Sequence, residues 1–123
     1  MPKFCANISF LWKDLPVPSR ILAAAGAGFD AVEILFPYDD PVPEIRQALE
    51  RTGLHLALIN CPPPNYTGGA RGFAAVPGQG ERFRSDFRRA LRYAQTLGAQ
   101  HLHIMSGAAE GEVAEAVLID NLR

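Results

Sequence analysis

Apolar and polar positions along the chain alternate between short apolar runs and longer stretches with apolar residues at helical spacing, and the rhythm repeats four times. Phe4 to Trp12 is the first run, closed by Lys13-Asp14 and by Pro16 and Pro18, and it predicts strand one. Ser19 to Ala27 carries Ile21, Leu22 and Ala25 on a helical face, with Gly26 and Gly28 as the stop. Ala31 to Phe36, interrupted only by Glu33, reads as strand two and is closed by Pro37-Tyr38-Asp39. Helix two follows, with Asp40 as its cap, Pro41 or Pro43 in its first turn, Ile45, Ala48 and Leu49 on one face, and Gly53 at its end. Leu54 to Cys61 is strand three. Pro62-Pro63-Pro64 then removes successive backbone donors and stops the ladder.

A loop from Asn65 to Gly80 comes next, with five glycines, longer than a compact domain carries without a use for it. From Glu81 to Leu97 the residues Phe83, Phe87, Ala90, Leu91, Ala94 and Leu97 form a buried helical stripe that Gly98 caps. Arg84, Arg88 and Arg92 align on the other side as a solvated face. His101 to Ser106 is strand four and Gly107 to Gly111 a small-residue loop. Glu112 opens a last helix with Val113, Ala116, Val117 and Leu122. Strand and helix alternate without a hairpin signal, which argues for a parallel sheet covered by helices, in one domain over residues 1–123.

Four such units fit either an open doubly wound sheet or part of a closed barrel. A dinucleotide fold wants a glycine-rich turn after strand one, but that turn is Lys13-Asp14-Leu15-Pro16, and Gly26 and Gly28 follow helix one instead. In a barrel the C-terminal strand ends carry the active-site loops, and here those ends are Leu11-Trp12, Pro37-Tyr38-Asp39, Asn60-Cys61-Pro62 and Ser106-Gly107. A full barrel takes roughly 250 residues. The expected architecture is therefore α/β, a parallel (β/α)4 half of a TIM (β/α)8 barrel.

Composition narrows the function. Twelve basic against thirteen acidic residues leave a net charge of −1, which gives no general field for nucleic acid or an anionic membrane. The N-terminal apolar run is too short and polar for a signal peptide or membrane span, so a cytoplasmic address is expected. Cys5 and Cys61 both sit in apolar runs and read as reduced core cysteines.

The candidate site residues are polar positions in apolar strands and one arginine. Glu33 is the carboxylate inside a strand, either a pocket acid or a lumen-lining group satisfied by a polar neighbour. Asn7 and Asn60 are strand amides that need partners, which a barrel mouth provides. His101 and His103 share one sheet face, the wrong geometry for a helical zinc pair, and His103, nearer the strand end, is the better substrate contact. Arg71, among glycines 68, 69 and 72, is either a bidentate donor over the mouth or a merely exposed loop residue. Phe10, Trp12 and Phe36 read as core or rim aromatics.

The stretches FCANISFLW, GFDAVEILFPYD, the Asn60-Cys61-Pro62-Pro63 turn, GGARGFAAVPG and LGAQHLHIMSG resemble the hydroxypyruvate isomerase family, part of the xylose-isomerase-like barrels, and the resemblance runs along essentially the whole chain. It implies isomerisation of hydroxypyruvate to tartronate semialdehyde, or of a related 2-oxo-tetronate, through an enediolate. In that family the two glutamates and the metal ligands lie on strands five to eight. The resemblance therefore leaves the catalytic residues of this chain unassigned, expects no metal held by this half alone, and allows a divalent metal in a complete barrel. Its substrate would be a small 2-oxo acid or a sugar-derived relative, contacted through Arg71, Glu33, Asn60, His103 and Asn7. The alternative is a non-catalytic or split half-barrel that self-associates or pairs with a complementing second-half chain. A DNA-repair endonuclease barrel shares the fold. Near-neutral charge and the lack of histidines at the ends of strands two and three count against it.

Overall fold

Apolar residues at every second strand position give each strand one face for a helix layer and one face turned away from it. A computed structural model of the chain describes residues 1–65 and 68–123, so residues 66 and 67 of the expected Asn65–Gly80 loop lie outside the described residues. The element order is β1 (Cys5–Asn7), α1 (Val17–Gly26), β2 (Ala31–Glu33), a 3-10 turn (Pro37–Asp39), α2 (Val42–Thr52), β3 (His55–Asn60), α3 (Gly80–Leu97), β4 (His101–His103) and α4 (Gly111–Asn121). The sheet runs β1-β2-β3-β4, every neighbouring pair parallel. This is the (β/α)4 arrangement the alternation predicts.

The core lies between sheet and helices. Ala6, Ile8, Val32, Ile34, Leu56 and Ile59 pack there against Ile21 and Ala24 of α1, Ile45, Ala48 and Leu49 of α2, and Ala94 and Leu97 of α3. Ile8, Ile21, Ile45 and Ile59 are fully enclosed, each contributing roughly 1.5–3 kcal/mol relative to exposure. Positive φ at Gly53 and Gly98 closes α2 and α3. Among the described residues no helix is long and apolar enough to cross a membrane.

The sequence overstates the strands. Within the Phe4–Trp12 run only Cys5–Asn7 is strand, with one further backbone bond from the Ile8 N–H to the Glu33 carbonyl. The Phe10 and Leu11 amides then turn back onto the Asn7 carbonyl, and Trp12 takes a positive φ of 52°. Phe10 is 60% exposed and Trp12 half-buried, while Phe36 is buried. Strand two ends at Glu33 and strand four at His103, each continued by isolated backbone bonds rather than a ladder. Asp40 does not cap α2: Pro41 holds the cap position without a side-chain bond. Cys61 is buried as expected but Cys5 is exposed, because it shares the helix-averted side of β1 with Asn7. Leu22 and Leu91 are exposed too. The face expected of the last helix is not covered by the described residues: Ala114 is buried, whereas Val113, Ala116 and Leu122 are exposed and Val117 is half-buried.

Candidate functional site

The helix-averted face of the sheet carries the polar strand residues as two hydrogen-bonded pairs. Parallel register sets Asn7 beside Glu33, and Asn7 Nδ2 donates to Glu33 Oε1 at 2.7 Å. Asn7 Oδ1 accepts the Ser9 N–H at 3.1 Å, a local turn that fixes the amide's orientation. Glu33 is half-buried and paired rather than isolated.

The second pair lies towards the C-terminal strand ends. Asn60 is registered with His103, and Asn60 Oδ1 meets His103 Nδ1 at 3.0 Å. Asn60 is 7% exposed, and both its main-chain groups are bonded: its N–H donates to the Leu35 carbonyl at 2.8 Å, and its carbonyl accepts the Tyr38 hydroxyl. Tyr38 is held in turn. Arg89 Nη2 and the Tyr93 hydroxyl each donate to its carbonyl at 3.1 Å, the Arg89 guanidinium lies 5.2 Å from its ring centre, and the Tyr93 ring meets it edge-on at 4.9 Å. Burial, reinforced by the neighbouring Cys61, pushes the Tyr38 phenol well above its usual range, so it remains a donor. His101, two residues earlier, places Nδ1 3.1 Å from the Ala57 carbonyl.

Arg71 reaches the same end through a stitched loop. Gly72 forms an antiparallel bridge with Ser106, and the Ala75 N–H donates to the Ser106 carbonyl at 2.8 Å. The approach is so close that a Cβ on Gly72, whose φ is +92°, would collide with the Met105 carbonyl oxygen. Asn121 of α4 adds a clamp, Nδ2 to the Ala74 carbonyl at 2.8 Å. Arg71 is exposed, and with His103, Asn65, Met105 and Ser106 it lines a cleft of about 380 Å³. The structure thus brings Arg71 and His103 to one cleft and joins Asn60 to it through His103. Asn7 and Glu33 form a separate pair on the same sheet face, two residues nearer the strand starts. Arg84, Arg88 and Arg92 are all exposed.

Sequence reasoning placed Tyr38 at a C-terminal strand end but missed that it anchors Asn60, and it missed a further cleft altogether. A second cleft, of about 390 Å³, is lined by Ser9, Phe10, Lys13, Arg20, Phe36 and Asp40. There the guanidinium of Arg20 is committed to backbone carbonyls, Nε to Leu15 at 2.7 Å, Nη1 to Ile8 at 3.0 Å and Nη2 to Lys13 at 3.1 Å, which folds the β1–α1 connection. Burial raises the Asp40 carboxyl against the opposing pull of Arg20. Among the described residues no three His, Cys, Asp or Glu side chains converge as a metal set.

The profile of the xylose isomerase-like TIM barrel family matches residues 21–123. A Danio rerio protein provisionally named as a hydroxypyruvate isomerase is 46% identical over 85% of the chain and 38% of its own length. The 2-oxo-tetronate isomerase of Cupriavidus necator is 43% identical over 87% of the chain and 41% of its own length. Among solved structures, a Brucella melitensis protein described as AP endonuclease, family 2, superposes with a TM-score of 0.89 at 40% identity, over 98% of this chain and 48% of that one. The chain spans about half the length, or less, of these relatives.

Proposed function

The chain belongs to the xylose isomerase-like TIM barrel family, and from that premise we propose that it supplies the substrate-binding side of an isomerase acting on a small hydroxylated 2-oxo acid, hydroxypyruvate or a 2-oxo-tetronate. The observation that carries the reading is the Gly72–Ser106 bridge, which holds Arg71 at the mouth of the sheet in one cleft with His103. An arginine fork there matches a carboxylate in a bidentate way that a point charge does not. The names of the relatives support the substrate class.

Isomerisation through an enediolate moves a proton between adjacent carbons and needs a base and an acid in reach of both. On the helix-averted face of the described strands Glu33 is the carboxylate, and it is held by Asn7. One carboxylate does not provide both roles, so the proton-transfer groups belong, in this reading, to the remainder of a complete barrel. Among the described residues no three His, Cys, Asp or Glu side chains are grouped to hold a divalent cation. The endonuclease description of the Brucella melitensis structure favours a second reading. A net charge of −1 gives it little support, since phosphate-backbone binding rests on excess positive charge.

The test combines the chain with the remaining half of the Cupriavidus necator relative and follows 2-oxo acid turnover. The chain alone should convert hydroxypyruvate no faster than buffer, and the complex should be active. A soluble complex inactive on both hydroxypyruvate and 2-oxo-tetronates would sink the reading.

A further inference from the structure

A carbonyl oxygen only accepts. The contact between Asn60 Oδ1 and His103 Nδ1 at 3.0 Å therefore requires the proton of a neutral imidazole to sit on Nδ1. We propose that Asn60 is a positioning residue that locks His103 in the Nδ1–H form, leaving Nε2 as a bare acceptor for a ligand hydroxyl in the cleft that Arg71 shares. This deepens the isomerase reading and rests on it for the identity of the ligand.

Three observations support the lock. Asn60 is held in place: it is 7% exposed, its N–H is bonded to the Leu35 carbonyl and its own carbonyl takes the Tyr38 hydroxyl. His103 is tied at the backbone as well, because its carbonyl accepts the Cys61 N–H at 2.8 Å. His103 also lines the cleft of about 380 Å³ together with Arg71. With Nδ1 occupied, Nε2 is the ring nitrogen left to meet a ligand.

The two groups are then complementary to one kind of molecule. Arg71 has donors and no acceptor, so it takes a carboxylate; the Nε2 lone pair takes a hydroxyl hydrogen. A ligand bearing both, a hydroxy acid, satisfies each. A 2-oxo acid without the hydroxyl leaves Nε2 without a partner, and sites built to bond a hydroxyl discriminate strongly against analogues lacking it. A histidine side chain free in water favours the opposite form, Nε2–H, so the lock is measurable.

Long-range proton–nitrogen NMR correlation of the imidazole rings, on the ligand-free chain at a pH where histidine is neutral, reads the form directly. The expected pattern for His103 is protonated Nδ1 and bare Nε2, with the exposed His55 as the internal contrast. Asn60→Ala should invert His103 towards Nε2–H. Asn60→Asp, whose carboxylate also accepts, should keep Nδ1–H and serves as the folded control if the alanine variant is unstable. An Nε2–H pattern in the unsubstituted chain, or in Asn60→Asp, overturns the lock. Adding hydroxypyruvate should shift the Nε2 resonance and adding pyruvate should not; an equal response to both, or none to either, overturns the hydroxyl assignment. None of these readouts requires turnover, so failure of the isomerase reading shows separately in the complemented barrel.

Discussion

Single residues divide here by what their polar atoms can still do. Arg71 is exposed at a cleft, whereas Arg20 has its guanidinium bound to three backbone carbonyls. In a complemented barrel Arg71→Lys should raise the Michaelis constant for a 2-oxo acid about tenfold, equivalent to ~1.4 kcal/mol. Arg88→Lys, on the solvated face of α3, should leave it unchanged. The two cysteines differ in the same way. Cys61 is buried and Cys5 exposed, so a thiol reagent should label Cys5 alone until the chain unfolds; burial also pushes the Cys61 thiol up to about 12 from 9.0. The raised value also sets an alkaline limit. Below the unfolded value of 9.0 Cys61 is protonated in both states and its contribution is intact; as pH climbs from there towards about 12, only the unfolded chain ionises, and stability falls. A thermal melt should drop across that window, and Cys61→Ser should flatten the drop. The candidate residues Asn7, Glu33, Asn60 and His103 were legible because a polar side chain in an apolar strand run is conspicuous. Their pairing was not, since each bond crosses to a neighbouring strand whose register the sequence does not state.

At the scale of elements, the four βα units and their order were legible from periodicity alone, and the glycine stops at 53 and 98 fell where expected. Strand ends were not. Composition marks an apolar run, but pairing ends where the chain turns, and the turn after Asn7 is set by hydrogen bonds to its own carbonyl and side chain. Asp40 looked like a cap by type and place, yet the preceding 3-10 turn brings the chain into α2 through Pro41. The loop before α3 was recognised as unusual by its glycines, though which glycine mattered depended on β4, far along the chain. Gly72 and Gly78 separate the two reasons for a glycine. Both have positive φ, but a Cβ on Gly78 meets nothing within 4 Å while one on Gly72 strikes the Met105 carbonyl. Gly78→Ala should therefore cost about 1 kcal/mol from backbone strain alone. Gly72→Ala should cost roughly 3 kcal/mol or more and break the bridge to Ser106. Denaturant titration of both variants gives the comparison, and equal losses would mean that the stitch is not rigid.

At the scale of the whole molecule, the described residues leave two sheet edges and one helix face uncovered. β1 and β4 each pair on one side within the sheet, and both β4 histidines are exposed. α4 packs chiefly along α3 and presents Val113, Ile119 and Leu122 to solvent, at 65%, 44% and 54% exposure. Parallel edges and apolar helix faces of this kind are ordinarily covered. Two copies related by a two-fold axis would place β4 of each beside β1 of the other and close eight strands, bringing both Arg71 clefts to one mouth. The same edges would accept a complementing half-barrel, and the two outcomes are separable. Alone in solution the chain should sediment as a dimer that dissociates on dilution, and addition of the remaining half of a relative should replace that dimer with a one-to-one complex. A monomer that unfolds cooperatively and binds no hydrophobic dye would rule out the shared barrel, because its edges and its α4 face would then be stable in water.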